Sequence, residues 1–320
     1  MLWLFIFIIS CFVLFWSGSR LIKGLMKMAR YLGWREFVVA FFIMAVAGSF
    51  PNFFVGINSA LHKVPQLSFG DIVGGNIVDL TLAVALAVLI GGVSLPAKSR
   101  MVQTSTVFTA VIAVLPLVLI LDGNLGRGDG LILLLTFVLY IFWLFSKEER
   151  FKKVYGKNRE KQKTVIQFKD FLKSLGKVVM ALVLLLLASE GIVRSAHVFS
   201  DALEITLPVV GILIIGAANA LPETYFAIVS ARRKQTWMIL GNLMGSVIIS
   251  ATFVLGIVAL ICPIGIPDFS PFVIARLFLI ISAVFFFFFV RTGRTITKKE
   301  AIILLGIYVL FVISEIFFLK

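Results

Sequence analysis

The chain has 320 residues, of which 60% are hydrophobic, with a mean hydropathy of +1.08 and a formal net charge of +14. This composition, with its many long uncharged runs, excludes a soluble globular protein and indicates a protein that crosses the membrane many times. In such a protein the basic excess is expected in cytoplasmic loops beside anionic lipid rather than on a nucleic-acid-binding surface.

Ten apolar segments approach the ~20 residues that a helix needs to cross a bilayer. In chain order they are 2–28, 36–62, 68–93, 103–121, 129–146, 174–199, 206–232, 235–260, 270–291 and 299–318. We therefore predict an all-α integral membrane protein with ten transmembrane helices. The first segment begins without a basic region and continues without a cleavage site, so it is expected to be a retained span rather than a signal peptide.

The segment 147–173 is the one long polar stretch of the sequence, and it is strongly basic. It separates two predicted five-helix repeats, 1–146 and 174–320, and its lysines and arginines predict a cytoplasmic loop. Alternating outward from this loop places the other basic clusters on the same side and both termini on the extracytoplasmic side. The sequence therefore predicts a multi-pass protein of the cell membrane, whose partners include the lipid bilayer but no nucleic acid.

The sequence contains an internal repeat. Residues 38–79 align with residues 209–250 without a gap, at an offset of 171 positions, and 12 of the 42 aligned positions are identical, including Pro51 and Pro222. Each half holds five spans, and an odd number means that the second half enters the membrane from the opposite side. Such inverted repeats are the architecture of many secondary transporters, whose sites lie near the midplane at broken helices.

The second span of each half contains a helix-breaking block at mid-depth, AGSFPN (47–52) in one half and ANALPE (218–223) in the other. Proline lacks an N–H and clashes with the preceding turn, so the helix opens and frees backbone carbonyls. A bilayer tolerates such backbone only where it is buried in protein or lines a site. Two breaks at matching repeat positions favour a functional site over a packing kink.

Polar residues recur at four-residue spacing along the third and eighth spans. They are Asp71, Gly75 and Asp79 in one half and Asn242, Ser246 and Ser250 in the other. Each column should face the protein interior, because lipid penalises polar groups. Asp79 and Glu223 are carboxylates deep within spans, and their expected partner is a cation bound by carboxylate, amide, hydroxyl and carbonyl oxygens.

Other ionisable residues of the spans have less definite interpretations. Glu190, in the sixth span, either lines an ion path or pairs with Arg194 one helical turn away. Glu315, near the end of the tenth span, is expected at the membrane interface. His62 and His197 lie near span ends and are assigned no role. No pattern indicates a resident cofactor, and none is expected.

The two broken spans and the polar columns carry a family resemblance. Residues 47–79 and 218–250 each resemble the α-repeat of the sodium/calcium exchanger family of the calcium/cation antiporter superfamily, which reads G-T-S-L-P-E followed by G-N-x-x-G-S-N-x-x-[ND]. In this chain the repeats read AGSFPN…GDIVGGNIVD and ANALPE…GNLMGSVIIS. The resemblance covers the whole chain and implies an inverted-repeat cation antiporter.

The resemblance also implies a set of cation ligands. Its four central positions are Asn52, Asp79, Glu223 and Ser250, and further positions of the motif are Ser49, Gly48, Asn219 and Ser246. The family usually has Glu in place of Asn52 and Asp or Asn in place of Ser250, which leaves two carboxylates at the expected centre. The other departures are Gly48 and Asn219 in place of Thr, and Ala220 and Gly75 in place of Ser.

These features favour one function and leave two others open. The leading hypothesis is a secondary antiporter, not an enzyme, that exchanges Ca²⁺ for Na⁺ by alternating access, with spans one and six sliding past spans two, three, seven and eight. A second is a Ca²⁺/H⁺ or other cation/proton antiporter, since a desolvated Glu223 can titrate. A third is a degenerate homologue that does not transport and acts as a membrane interaction protein. The oligomeric state is not determined by the sequence, and a monomer is compatible with it.

Overall fold

The computed structural model describes residues 2–31, 48–146, 168–234, 236–266, 268 and 270–318. The beginning of the predicted second span, 36–47, and most of the predicted basic loop lie outside these residues. In the described part the chain is almost entirely helical, which confirms the predicted fold class.

Most helices of the described residues are uninterrupted. They are α1 (Leu2–Tyr31), α2 (Phe50–Leu61), α4 (Arg100–Leu119), α5 (Arg127–Ser146), α6 (Phe168–Leu203), α8 (Leu221–Arg232), α10 (Val273–Arg291) and α11 (Lys298–Phe318). The other helices each contain a π-helical middle segment: α3 (Pro65–Val78, Asp79–Ala83, Val84–Gly91), α7 (Leu207–Val209, Val210–Ile215, Gly216–Asn219) and α9 (Trp237–Ile249, Ser250–Val254, Leu255–Ile261). Short 3₁₀ turns cover Ile120–Asp122 and Ser270–Phe272.

Within the described residues, nine segments are long and apolar enough to cross a membrane. They correspond to nine of the ten predicted spans, and the remaining span, 36–62, is described only from residue 48. The predicted loop 147–173 is shorter than expected, because α6 already begins at Phe168. The predicted span 206–232 consists of two helices, α7 and α8, which meet at Ala220 where the break was expected.

The repeat found in the sequence is visible in the backbone. Helices α2 and α8 begin and end 171 positions apart, and so do the π-helical segments Asp79–Ala83 and Ser250–Val254. Lys63 and Lys234, which follow α2 and α8, share a left-handed conformation with φ of 59° and 57°. Equal offsets in helix ends, π-helical segments and turns show that the two halves have the same local structure.

Two short strand pairs join one half of the chain to the other. The strands are β1 (Leu95–Pro96), β2 (Asn124–Leu125), β3 (Ile264–Gly265) and β4 (Thr295–Ile296). β1 pairs with β4 and β2 pairs with β3, both antiparallel, so each strand of the first half pairs with a strand of the second half. This exchange of partners is what a two-fold relation between the halves requires.

Glycines allow helices to approach closely around the core. Helices α3 and α9 are the most buried spans. A Cβ at Gly70 or Gly74 of α3 would overlap the backbone carbonyl of Pro208 or Ile212 in α7, so these two helices touch backbone to backbone. The antiparallel helices α1 and α6 also lie close together, with Gly191 of α6 against the side chain of Ser10 in α1.

Candidate cation site

The two helix breaks have the same backbone geometry. Ser49 and Ala220, which precede α2 and α8, have φ/ψ of −80°/−4° and −83°/−4°. Pro51 and Pro222 then occupy the first turn of these helices, where a missing N–H is tolerated because it would have no partner within the helix. Each break is therefore the beginning of a new short helix, set by its proline.

Glu223 of the second break lies against Gly48 of the first. Its Oε1 atom is 3.1 Å from the point where a Cβ at Gly48 would stand. A threonine there, as the family motif has, would require the carboxylate to shift by a few tenths of an ångström. The glycine therefore lets Glu223 reach the first break, where Ser49 and Asn52 are also buried.

Asp79 and Ser250 begin the π-helical segments of α3 and α9. A π-helical turn holds an extra residue and changes the direction of the side chains that follow, and such turns are frequent at functional sites. Ser246 donates a hydrogen bond to the carboxylate of Asp79, and Ser250 donates one to Oδ1 of Asn76 at 2.9 Å. Both hydrogen bonds run from serines of α9 to acceptors on α3, and together they connect the two helices at the site.

Three oxygens of the expected ligand set are buried without a hydrogen-bond partner in the described part of the chain: Asn52 Oδ1, Asp79 Oδ1 and Glu223 Oε2. The side chains are 8%, 3% and 4% exposed. Buried polar atoms are nearly always bonded, so each exception calls for an explanation, such as a bound ion. Their chemistry, two carboxylates and an amide oxygen, fits a hard cation.

Asn219 and Asp71 form a contact that sequence reasoning missed. The amide nitrogen of Asn219 donates to both carboxylate oxygens of Asp71 at 3.0 Å, and Asp71 is fully buried. The charges of Asp71 and Asp79 both act on Glu223. Asp71 is thus a third buried carboxylate, beside the two that the motif places at the expected centre. The available signal was its place at the head of the polar column, where the motif has Asn.

The acids of the site do not form a cluster of three around a single point. Among the described residues no group of three or more His, Cys, Asp or Glu side chains is placed to hold one metal ion. No basic side chain in the described ranges pairs with Asp71, Asp79 or Glu223. One cation would therefore need the neutral oxygens of the site as well as the carboxylates.

Two other carboxylates of the spans, Glu190 and Glu315, are not among the predicted ligands. Glu190 accepts from Arg194 Nε at 2.6 Å and lies 2.8 Å from His62 Nε2, which favours the pairing interpretation and gives His62 a contact that was not expected. Glu315, which was expected at the membrane interface, is only 4% exposed. In α11 it faces the protein interior, and its depth in the membrane stays a prediction.

The chain also matches known proteins. The family model described as sodium/calcium exchanger protein matches residues 2–146 and 173–317. The chain belongs to the sodium/calcium exchanger family. The sodium/calcium exchanger MaX1 of Methanosarcina acetivorans is 23% identical, with 93% of both chains covered. The inner membrane protein YrbG of Escherichia coli (strain K12) is 24% identical over 266 residues, which are 80% of this chain and 79% of YrbG.

The fold is that of a solved exchanger. A structure of the sodium-calcium exchanger NCX_Mj superposes with a TM-score of 0.66 at 20% identity, with 98% of both chains covered. Membership of the exchanger family makes this chain a membrane protein of a cation antiporter family, not of an enzyme family, and its substrates are cations. The predicted family and the predicted helical membrane fold are thereby confirmed. The individual ligands and the ions exchanged remain predictions.

Proposed function

We propose that this exchanger-family protein moves Ca²⁺ across its membrane in exchange for Na⁺, with the ion bound where the two breaks meet α3 and α9. The observation that carries the proposal is the set of three unpartnered buried oxygens, on Asn52, Asp79 and Glu223. They come from three helices and from both repeats. They also occupy three of the four central ligand positions that the family motif implies.

The available oxygens suit a calcium ion. Ca²⁺ takes about 6–8 oxygen ligands in flexible geometry. Asp79 and Glu223 would neutralise its two charges, and Asn52 and Ser49 would add neutral oxygens. Gly48 has no side chain, so it can contribute only its backbone carbonyl.

The remaining predicted ligands already have hydrogen-bond partners. Ser246 and Ser250 donate their hydroxyl protons to Asp79 and Asn76, which leaves oxygen lone pairs for a cation. Asn219 uses its amide nitrogen on Asp71, so its carbonyl oxygen is left for an ion. These three residues would act as neutral ligands or hold the charged ones in place.

Alternating access would use the closely packed pair α1 and α6. Gly18 of α1 passes next to Pro51 at the first break, and α6 contacts α2 through Asn58, whose amide donates to Ser189 at 2.6 Å. Small residues in such contacts let helices lie close and slide. Because the repeats are inverted, the same movement relative to α8 would open the opposite side of the site.

The proposal is tested by ⁴⁵Ca²⁺ uptake into proteoliposomes loaded with Na⁺. We expect uptake in the wild-type protein and its loss in Glu223→Gln and Asp79→Asn, which remove the charges that balance Ca²⁺. Glu315→Gln is the matched control, because it makes the same change at a buried carboxylate outside the site. Full uptake by both site variants would exclude this assignment.

A second candidate function is Ca²⁺/H⁺ exchange. It is favoured by the amide at Asn52 and the hydroxyl at Ser250, which replace two groups that the family motif usually provides for ions. The same proteoliposomes, with a pH gradient and no Na⁺, distinguish the two coupling ions. If neither gradient drives Ca²⁺ flux, and neither Ca²⁺ nor Na⁺ raises the melting temperature in detergent, the protein is a homologue that does not transport.

We also place the protein in the cell membrane with both termini outside, on the basis of its basic segments. An impermeant thiol reagent added to intact cells should then label a cysteine introduced beside the first residue. It should not label one introduced within 147–167. Both would be placed in a background without Cys11 and Cys262. The reverse labelling pattern would invert the assigned orientation.

A further inference from the structure

Asp71 is a buried carboxylate with no counter-charge among the described residues. Among those residues its hydrogen-bond partner is the amide nitrogen of Asn219, which reaches both of its oxygens at 3.0 Å. Within the same residues the ion pairs belong to Glu190, and no basic side chain pairs with Asp71. A buried carboxylate with only a neutral partner is strongly unfavourable unless a cation or a proton neutralises it.

The contact between Asp71 and Asn219 has no equivalent in the other repeat. At the offset of 171 positions, Asp71 corresponds to Asn242 and Asn219 corresponds to Gly48. An amide and a glycine side by side cannot form the same contact. Both members of the contact therefore differ from their repeat partners, and both differences are needed for the hydrogen bonds to form. This indicates a role that is specific to this side of the site.

Asp71 stands beside the central ligands rather than among them. Asp71 and Asp79 are two turns apart on α3, about 12 Å along the helix axis, with Gly75 between them. A Cβ at Gly75 would meet Gly216 of α7 at 3.6 Å, an ordinary contact distance. Glu223 interacts electrostatically with both Asp71 and Asp79, so its carboxylate lies near each of them.

The charges of these side chains limit how many ions the site can hold. Asp79 and Glu223 together balance one Ca²⁺ or two Na⁺. A third carboxylate lets the same buried region hold a third Na⁺ without excess positive charge, because buried charges must be paired. Exchange of three monovalent ions for one divalent ion moves one net charge across the membrane, whereas exchange of two moves none.

We propose that Asp71, held by Asn219, carries the third negative charge of the exchange site and so determines how many Na⁺ ions are exchanged for one Ca²⁺. This inference rests on the proposed function. Asn219 is the positioning residue, because its amide nitrogen donates to both oxygens of the Asp71 carboxylate.

The test compares the wild-type protein with Asp71→Asn in proteoliposomes, at varied Na⁺ concentration and under potassium diffusion potentials set with valinomycin. In the wild type we expect Na⁺-driven ⁴⁵Ca²⁺ flux to change with membrane potential. In Asp71→Asn we expect the flux to become insensitive to potential and the Hill coefficient for Na⁺ to fall by about one. Asp71→Glu keeps the charge and should keep the potential sensitivity.

A purely structural role for Asp71 would change yield or maximal rate without changing the Hill coefficient or the response to potential. That result in Asp71→Asn overturns the inference. So does a loss of Ca²⁺/Ca²⁺ exchange as severe as the loss of Na⁺-driven flux, because Asp71 would then belong to the calcium centre itself. Glu315→Gln serves as the control for removal of a buried carboxylate elsewhere.

The outcomes separate this inference from the proposed function. If the wild type shows no Na⁺-driven Ca²⁺ flux, both fail. If the wild type exchanges the ions and Asp71→Asn behaves identically, only the inference about Asp71 fails. If Asp71→Asn does not fold, Asn219→Thr removes the amide donor instead. That variant should raise the Na⁺ concentration needed for half-maximal flux, and an unchanged value overturns the inference.

Discussion

The first and second helix breaks share a backbone but differ in charge. Ser49 and Ala220 have nearly the same dihedral angles, and Pro51 and Pro222 start the two short helices in the same way. The side chains that follow differ: the first helix presents the amide of Asn52 and the second presents the carboxylate of Glu223. The geometry of a break and the charge placed on it are thus controlled by different residues.

In the third span of each repeat, the negative charge is on the first repeat rather than the second. Helix α3 carries Asp71 and Asp79, whereas the equivalent positions in α9 are Asn242 and Ser250. In the first repeat the acids lie on the third span, and in the second repeat the acid lies at the break. A two-fold symmetric backbone therefore holds an asymmetric set of charges, and the predictions below act on what the repeats share or on what distinguishes them.

The largest effect is expected where the repeats are alike, at the close packing of glycines. Gly74→Ala should destabilise the protein by about 3 kcal/mol or abolish folding, because the added Cβ would overlap the carbonyl of Ile212 and a backbone atom cannot rotate away. The thermal midpoint in detergent measures this. Gly75→Ser, which makes the next position resemble Ser246, is the matched control and should fold normally, since its Cβ has room.

A smaller effect, on function rather than folding, is expected where the breaks differ. Asn52→Glu gives the first break the same carboxylate as the second and adds a negative charge near Glu223. We expect the dependence on Na⁺ to become steeper, because an added carboxylate can balance a further monovalent ion. Na⁺-dependent ⁴⁵Ca²⁺ uptake measures the change, and Asn52→Gln, which keeps the amide, should leave the steepness as it is. Equal steepness in both variants would contradict the expected role of position 52.

The smallest effect is expected at a contact present on one side only. His62 at the end of α2 approaches Glu190 of α6, whereas its repeat partner is Arg233 and that of Glu190 is Ser19. Both side chains are about a third exposed, so His62→Gln should change the free energy of unfolding by only about 0.2–1 kcal/mol. Chemical or thermal unfolding in detergent measures this. A much larger loss would show that the contact anchors α6 to α2.

The fold was largely predictable because a bilayer restricts it. Apolar segments of spanning length located nine spans that the described residues contain, and the repeat located the breaks at Pro51 and Pro222. The π-helical segments at Asp79 and Ser250 were not predicted, because one extra residue in a turn does not change the hydrophobic pattern of an apolar span. The early start of α6 at Phe168 was missed, because polar residues at a span end do not distinguish a loop from a protruding helix.

Only the residues at positions of the family motif could be predicted as members of the candidate site. The motif indicated Asn52, Asp79 and Glu223, and the structure buries all three with an oxygen left without a partner in the described ranges. The contact between Asp71 and Asn219 joins residues 148 positions apart on different helices, so no local pattern shows it. The burial of Glu315 likewise depends on the helices packed against α11, which spacing along one span does not reveal.

The exchange of partners between β1–β4 and β2–β3 has a consequence for assembly. Each half of the chain supplies one strand to each pair and contains no partner for either. A half-length chain alone would leave both of its strands open, whereas two such chains inserted in opposite orientations would close both pairs. The two halves are thus related in the same way as the two subunits of an antiparallel dimer, and segment 147–167 links them covalently.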